Sequence, residues 1–329
     1  MPVLWTTNAI DNVDPAILRR MSFVLKLDLP SRSAALRMLS RIAGEERVET
    51  SAGLDHLIDA APETATVLRV AARSARLAGD ADGGARSAET LVRALRGSVL
   101  PPTVDHALDL DLFETDLPLG PLIDRLAATD ARDVSLLLTG PPGPGKTALA
   151  HHLARALDRP LEIKRASDLL SRWVGGTEAA IATAFADARE KGSVLLFDEV
   201  DSLLFDRTTA SHSWEAGQVN EMLTWLDHHP LPVVAATNHA HRLDPAALRR
   251  FVFKLDLRPL GPAKAEAAFE RFFGDAAPAT LREATDLTPG DFAVVARQLR
   301  HVDSIDAAEI VTRLKRECDH KGTRGRIGF

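Results

Sequence analysis

Tyrosine is absent from this 329-residue chain, cysteine occurs once, and aromatic residues make up only 5% of it. A lone cysteine, Cys318, cannot form an internal disulfide, which fits a reducing compartment and makes a cytoplasmic location the expectation. No run of about 18 apolar residues occurs, so no membrane span is expected. The opening Met1-Pro2-Val3-Leu4-Trp5 has neither the basic start nor the apolar length of a signal peptide. A net charge of -6 gives no general attraction to a polyanion, which argues against a nucleic-acid partner. There is no HExxH, and no Cys/His spacing suggests a structural zinc, so a metalloprotease is not indicated. The pairs His151-His152 and His228-His229 read as helix-surface residues.

At 45% hydrophobic and 26% charged the composition is that of an ordinary globular protein, and the length suggests about two domains. One stretch stands out. An apolar run, Val134 to Leu138, leads into Gly140-Pro141-Pro142-Gly143-Pro144-Gly145-Lys146-Thr147, and a helix-like run begins at Ala148. Strand, glycine-rich turn and helix in that order, with the pattern GxxxxGK[ST], form a phosphate loop. Its glycines let consecutive N–H groups curl round a polyphosphate, the helix directs its positive end there, and Lys146 adds a full charge. Thr147 is placed to hold Mg2+.

The chain also repeats itself. Thr6-Thr7-Asn8 and Asp14-Pro15-Ala16-Ile17-Leu18-Arg19-Arg20 recur 230 residues later as Ala236-Thr237-Asn238 and Asp244-Pro245-Ala246-Ala247-Leu248-Arg249-Arg250. After a two-residue slip, Phe23-Val24-Leu25-Lys26-Leu27-Asp28-Leu29 recurs as Phe251-Val252-Phe253-Lys254-Leu255-Asp256-Leu257. Two copies of one module share the chain. Only the second has a phosphate loop upstream of its Thr-Asn element, so the expectation is the C-terminal part of a tandem protein, or a truncated one.

Helical periodicity covers Ser31 to Ala43 (capped by Ser31), Gly53 to Ala60, Glu63 to Leu77 and Ser87 to Leu95, with Gly79 to Gly84 as a separator. Leu100 to Asp133 reads as a Pro/Asp-rich connector with a short helix at Leu122 to Ala127. Strands at 135–138, 161–164, 194–197 and 232–236 then alternate with helices, among them Glu178 to Lys191 with Thr177 as cap. That alternation predicts a parallel sheet covered on both faces. A second bundle starts at Pro262, and the tail from Lys321 is expected to be poorly ordered.

Val194-Leu195-Leu196-Phe197 delivers Asp198 and Glu199 at the C-terminal edge of a buried strand, where open α/β sheets bind ligands. Asp198 is placed to hold Mg2+ and Glu199 to deprotonate water. With the phosphate loop upstream, the order resembles that of an AAA-family ATPase over Leu110 to Phe329. The resemblance implies an α/β parallel-sheet P-loop core with a helical lid, preceded by the lid of a truncated first module. Its expected divisions are 1–29 remnant, 30–100 first lid, 101–133 acidic linker and short helix, 134–260 ATPase core and 261–329 second lid.

Further roles come from the resemblance alone. It implies ATP and Mg2+ as ligands, with Ala148 closing the phosphate loop, Asn238 sensing the γ-phosphate, and Gly290 of Gly290-Asp291-Phe292 near the nucleotide. Arg249 and Arg250 would reach into a neighbouring subunit of a homo-oligomeric, hexameric ring; Arg19 and Arg20 are their counterparts. Trp173-Val174-Gly175 stands where such proteins place a pore loop that grips a polypeptide, the other reading being a Trp173 packed under its own helix. Trp214 reads as pore, interface or core.

Four departures stand beside the likeness. A GRFDR-like block is replaced by Phe251-Val252-Phe253-Lys254, Pro144 replaces the usual threonine and removes a donor, the lid motif is altered, and the first module has no phosphate loop. The leading expectation is ATP-driven remodelling of protein substrates. A nucleotide-dependent switch or nucleic-acid remodeller of the same fold, and a remnant that only binds ATP, are the alternatives.

Overall fold

The computed structural model describes residues 5–7, 13–25, 30–96, 109–143, 145–210, 212–302 and 306–323. The expectations about Asn8, about residues 101–108 of the 101–133 connector, about Pro144 and about the tail beyond 323 lie outside these residues.

After a short helix α1 (Pro15–Leu18), four helices form a first bundle: α2 (Arg32–Glu46), α3 (Ala52–Ala60), α4 (Leu68–Ala78) and α5 (Ala81–Arg96). Ser31 does cap α2, its hydroxyl accepting from the Ala34 amide. The run expected as one helix from Glu63 divides into a 3-10 turn, Pro62–Thr66, and α4. The glycine separator is one only in part: Gly79, left-handed at φ 65°, ends α4, while its second half is already helix. Gly83 and Gly84 lie inside α5, and a Cβ on Gly84 would sit 2.7 Å from the Ala71 carbonyl oxygen. These glycines let α5 approach α4 closely, a packing use that resembles a linker in sequence. Ala35, Leu39, Ile58, Leu68, Ala71, Ala88 and Val92 fill this bundle's core.

The second module runs α6 (Leu119–Ala128), β1 (Ser135–Thr139), α7 (Lys146–Ala156), β2 (Leu161–Arg165), α8 (Ala166–Leu169) and α9 (Gly176–Lys191). It continues through β3 (Val194–Asp198), α10 (Ser213–His228), β4 (Val233–Ala236), α11 (Pro245–Arg250) and β5 (Phe253–Asp256). The five strands are parallel in the order β2-β3-β4-β1-β5. β5, not anticipated as a strand, pairs with β1 and forms one edge. Central strands β1, β3 and β4 are buried almost throughout, whereas β2 and β5 are half-exposed, as edge positions dictate.

The two faces of the sheet hold two separate cores. Leu137, Leu195, Phe197 and Ala235 face α9 and α10, while Leu136, Leu138, Leu196 and Val234 face α6 and α7. Phe185 of α9, fully buried, stacks on Trp225 at 5.4 Å and meets Phe197 at 5.2 Å. Truncating it to alanine would cost about 3–5 kcal/mol. His229, expected on a helix surface, is buried against the same Phe185 at 5.0 Å. It follows the last turn of α10, where the chain turns inward toward β4.

A second bundle, α12 (Pro262–Phe273), α13 (Pro289–Leu299) and α14 (Ala307–Thr323), closes around Phe269, Phe292, Val295, Ile310 and Leu314, with Cys318 partly buried beside them. Among the described residues no helix is long and apolar enough to cross a membrane.

A polar joint links the first bundle to the second module. Asp158, just past α7, accepts from the Ser33 amide at 2.8 Å and the Ser33 hydroxyl at 2.6 Å, so a carboxylate from the sheet domain caps α2. Those bonds hold the Asp158 carboxyl below its usual range, although burial opposes them.

Candidate active site

Strand register gathers the site. Leu138 of β1 pairs with Ala236 of β4, and Ala236 pairs with Asp198 of β3. The residues just beyond those three positions therefore emerge side by side: the phosphate loop from β1, Asn238 from β4 and Glu199 from β3. Because β4 lies between the other two, Asn238 stands between loop and carboxylates.

The loop is shaped by glycine. Gly140, Gly143 and Gly145 have φ of 131°, 96° and 95°, a region closed to most side chains. A Cβ on Gly140 would also collide with the Leu257 carbonyl, and one on Gly145 would meet the Phe113 ring at 3.1 Å. Neither contact is visible in the motif itself. Pro141 and Pro142 continue the turn between these glycines.

Lys146 opens α7 and is buried. Its Nζ donates to the Gly140 and Pro141 carbonyls at 2.8 Å each and to Asn238 Oδ1 at 2.6 Å. Burial pushes its pKa down to about 8, against an upward pull from Asp198. A buried ammonium held only by neutral oxygens is short of negative charge, and a phosphate would supply it. Thr147 follows, its hydroxyl 3.4 Å from Asp198 Oδ2, and Ala148 continues the first turn of α7.

A divalent ion fits these groups. A hydroxyl and a carboxylate at the mouth of a phosphate cradle are the sparse oxygen set that Mg2+ uses, completed by phosphate oxygens and water. Asp198 also accepts from the Glu199 amide at 3.1 Å. Glu199 itself is exposed and held at φ 57°, ψ 42°, a left-handed conformation that costs a non-glycine residue energy.

Thr237 and Asp201 were not anticipated. The Thr237 hydroxyl donates to Asp201 Oδ1 at 2.6 Å and accepts from the His239 amide at 2.9 Å. The signals were the repeated Thr-Asn pair and a third carboxylate two residues after Glu199.

From the second bundle, the Gly290 amide donates to the Gly143 carbonyl at 3.0 Å, and a Cβ there would come 2.5 Å from the same oxygen. Asp291 caps α13 by accepting from the Thr288 amide and hydroxyl, and Phe292 is core. From that lid motif, Gly290 meets the phosphate loop.

The remaining candidates stand apart from this cluster. Arg250 donates to Asp227 Oδ2 at 2.8 Å and to the Ala246 carbonyl at 2.9 Å. Arg249 is exposed, and among the described residues no hydrogen bond or ion pair holds it. α11, which carries both, starts from Asp244, capped on Ala246 and clasped by Arg207 at 2.7 Å.

Trp173 and Val174 are 81% and 76% exposed, so Trp173 does not pack under its helix. Their loop is tied beneath by the Ser171 amide, which donates to Thr177 Oγ1 at 2.9 Å. Thr177 is thus a buried loop anchor and not the cap of α9, which begins one residue earlier after Gly175 at φ 81°. Trp214 is 42% exposed and stacks on His212 at 4.1 Å.

A parallel sheet with a glycine-rich loop, a buried lysine and a paired hydroxyl and carboxylate at its C-terminal edge defines a P-loop nucleotide-binding protein. Residues 136–259 match the family described as "ATPase family associated with various cellular activities (AAA)". The chain is 40% identical over 124 residues to Spastin from Drosophila melanogaster and Drosophila erecta, which covers 35% of this chain and 16% of each relative. Spastin from Anopheles gambiae matches equally over 15% of its own length. The chain thus spans under a fifth of these curated relatives. Over the matched segment the chain is similar to the AAA family of ATPases.

Proposed function

We propose that the chain binds Mg-ATP at this sheet edge and hydrolyses its β–γ phosphoanhydride, and that turnover in an oligomeric ring remodels polypeptide substrates. The observation that carries the reading is the register of β3, β4 and β1, which sets Glu199, Asn238 and Lys146 in a row.

Lys146 and the loop amides bind the phosphates, with Gly290 approaching from the lid. Thr147 and Asp198 would hold the magnesium ion, which neutralises charge on the phosphate oxygens when bound. Glu199 takes a proton from water as the water oxygen bonds to the γ-phosphorus. The bond to the β-phosphate oxygen breaks, and ADP and phosphate result. Asn238, with Oδ1 on Lys146, keeps its NH2 group for the water or a γ-oxygen.

Arg249 and Arg250 belong to the trans side of this scheme, completing a neighbour's site. Exposed Trp173, on a glycine-hinged loop, suits contact with an extended polypeptide regardless of its sequence, because a rigid ring gives apolar area at little entropic cost.

Glu199→Gln tests the reading. ATP binding should persist while turnover falls at least about 10³-fold; a variant that hydrolyses ATP at the wild-type rate overturns it. Trp173→Ala should keep basal hydrolysis and lose its stimulation by unfolded polypeptide.

A further inference from the structure

Asn238 sits at the tip of β4 with an exposed side chain, yet its position relative to Glu199 must be held within a fraction of an ångström for both to address one water. Nothing in its own side chain secures that; Lys146 holds only Oδ1. The residues on either side of it are secured. Thr237, 1% exposed, uses both hydrogen-bonding capacities of its hydroxyl: it accepts from the His239 amide at 2.9 Å, closing a small turn around Asn238, and donates to Asp201 Oδ1 at 2.6 Å.

Asp201 belongs to the 3-10 turn Val200–Ser202, which begins directly after Glu199. That turn is rigid. The Ser202 amide donates to the Glu199 carbonyl, the Leu203 and Leu204 amides donate to the Val200 carbonyl, and Val200, Leu203 and Leu204 are fully buried. One short, charge-assisted bond therefore spans from the turn that sets the Glu199 backbone to the turn that sets Asn238.

We propose that Asp201 and Thr237 are positioning residues that hold Asn238 in register with Glu199, so that the base and the amide act on the same water. This rests on the hydrolytic reading of the site. Neither residue is assigned contact with nucleotide; both act through Asn238. A purely structural tie would contribute stability and leave the rate of each folded molecule unchanged.

The full chain tests this with four variants. Thr237→Val keeps shape and removes both bonds, and Asp201→Ala removes the acceptor. Each should lower kcat by roughly 10- to 100-fold with KM for ATP within about threefold of wild type, the signature of misplacement without lost binding. Thr237→Ser and Asp201→Asn keep the hydroxyl and an acceptor oxygen, and should recover most of the rate. Without nucleotide, exchange of the His239 amide should quicken about tenfold in Thr237→Val and return in Thr237→Ser.

If kcat per folded molecule in Thr237→Val and Asp201→Ala stays within about threefold of wild type, the proposal is overturned. It is overturned equally if the conservative variants are as slow as the disruptive ones. Should Thr237→Val fail to fold, the Asp201→Ala and Asp201→Asn pair carries the same contrast. Equal rates for wild type and Glu199→Gln would instead sink the hydrolytic reading, and that control separates the two failures.

Discussion

The block Asp-Pro-Ala-x-Leu-Arg-Arg occurs twice, once on a complete sheet and once without one beside it among the described residues. Its first step is identical in both. Asp14 Oδ1 accepts from the Ala16 amide at 2.7 Å, and Asp244 Oδ1 accepts from the Ala246 amide at 2.7 Å. After that the copies diverge. In the first, the helix covers only Pro15–Leu18, Ile17 is 38% exposed, and Arg19 and Arg20 fall in a surface turn. In the second, the helix runs to Arg250, Ala247 is fully buried, Arg207 clasps Asp244, and Asp227 ties Arg250. The cap is a local event that four residues can make. Helix length and the posture of the arginines are tertiary, supplied by β1, α10 and the 207 loop.

The largest expected effect separates the arginines. Arg249→Ala should lower kcat of the assembled enzyme by about 10³-fold or more, while Arg19→Ala leaves it unchanged. A steady-state assay above the assembly concentration decides, and equal losses would show both copies at work. Next, Asp244→Ala should cost about 2–3 kcal/mol in denaturant unfolding, since it removes a cap and strands the Arg207 guanidinium.

A third effect belongs to the sheet-backed copy alone. Burial, with the Arg189 charge adding to it, pushes His229 down to about 4. The folded protein therefore keeps this imidazole neutral while the unfolded chain takes up a proton below about pH 6.5. Stability from this group is present at neutral pH and lost as pH falls from about 6.5 toward 4, on the order of 2 kcal/mol. His229→Leu should flatten that part of a melting-temperature profile, and an unchanged slope would place the acid sensitivity elsewhere. The smallest effect is Asp14→Ala, expected to shift global unfolding by less than about 0.5 kcal/mol because α1 frays independently of the cores.

The same contrast marks what sequence reveals. The phosphate loop, Asp198 and Glu199 were legible because each follows an apolar run that becomes a buried strand, and backbone chemistry dictates glycine and carboxylate there. Asn238 came from the family resemblance, and the repeat only marks the Thr-Asn pair that holds it. Thr177 was misread because a threonine before a helical run resembles a cap, whereas here its hydroxyl serves Ser171 across the loop. Gly83 and Gly84 resembled a linker because the residue they must admit, Ala71, lies on another helix. The Asp201–Thr237 and Ser33–Asp158 bonds join residues 36 and 125 positions apart, and no local pattern announces such partners.

The placement of β4 between β1 and β3 also has a consequence in time. β1 finds its neighbours only at Val233 to Ala236 and Phe253 to Asp256, roughly a hundred residues further along the chain. At synthesis rates of about 5–20 residues per second, that leaves the phosphate loop without flanking strands for about 5–20 seconds. The first helical bundle, built from contacts close in sequence, can fold during that interval, since local helical contacts form orders of magnitude faster than distant strand pairings. The proposed nucleotide site thus assembles late, and the unpaired edges of β1 and β3 are most open to aggregation just before β4 emerges to pair with them.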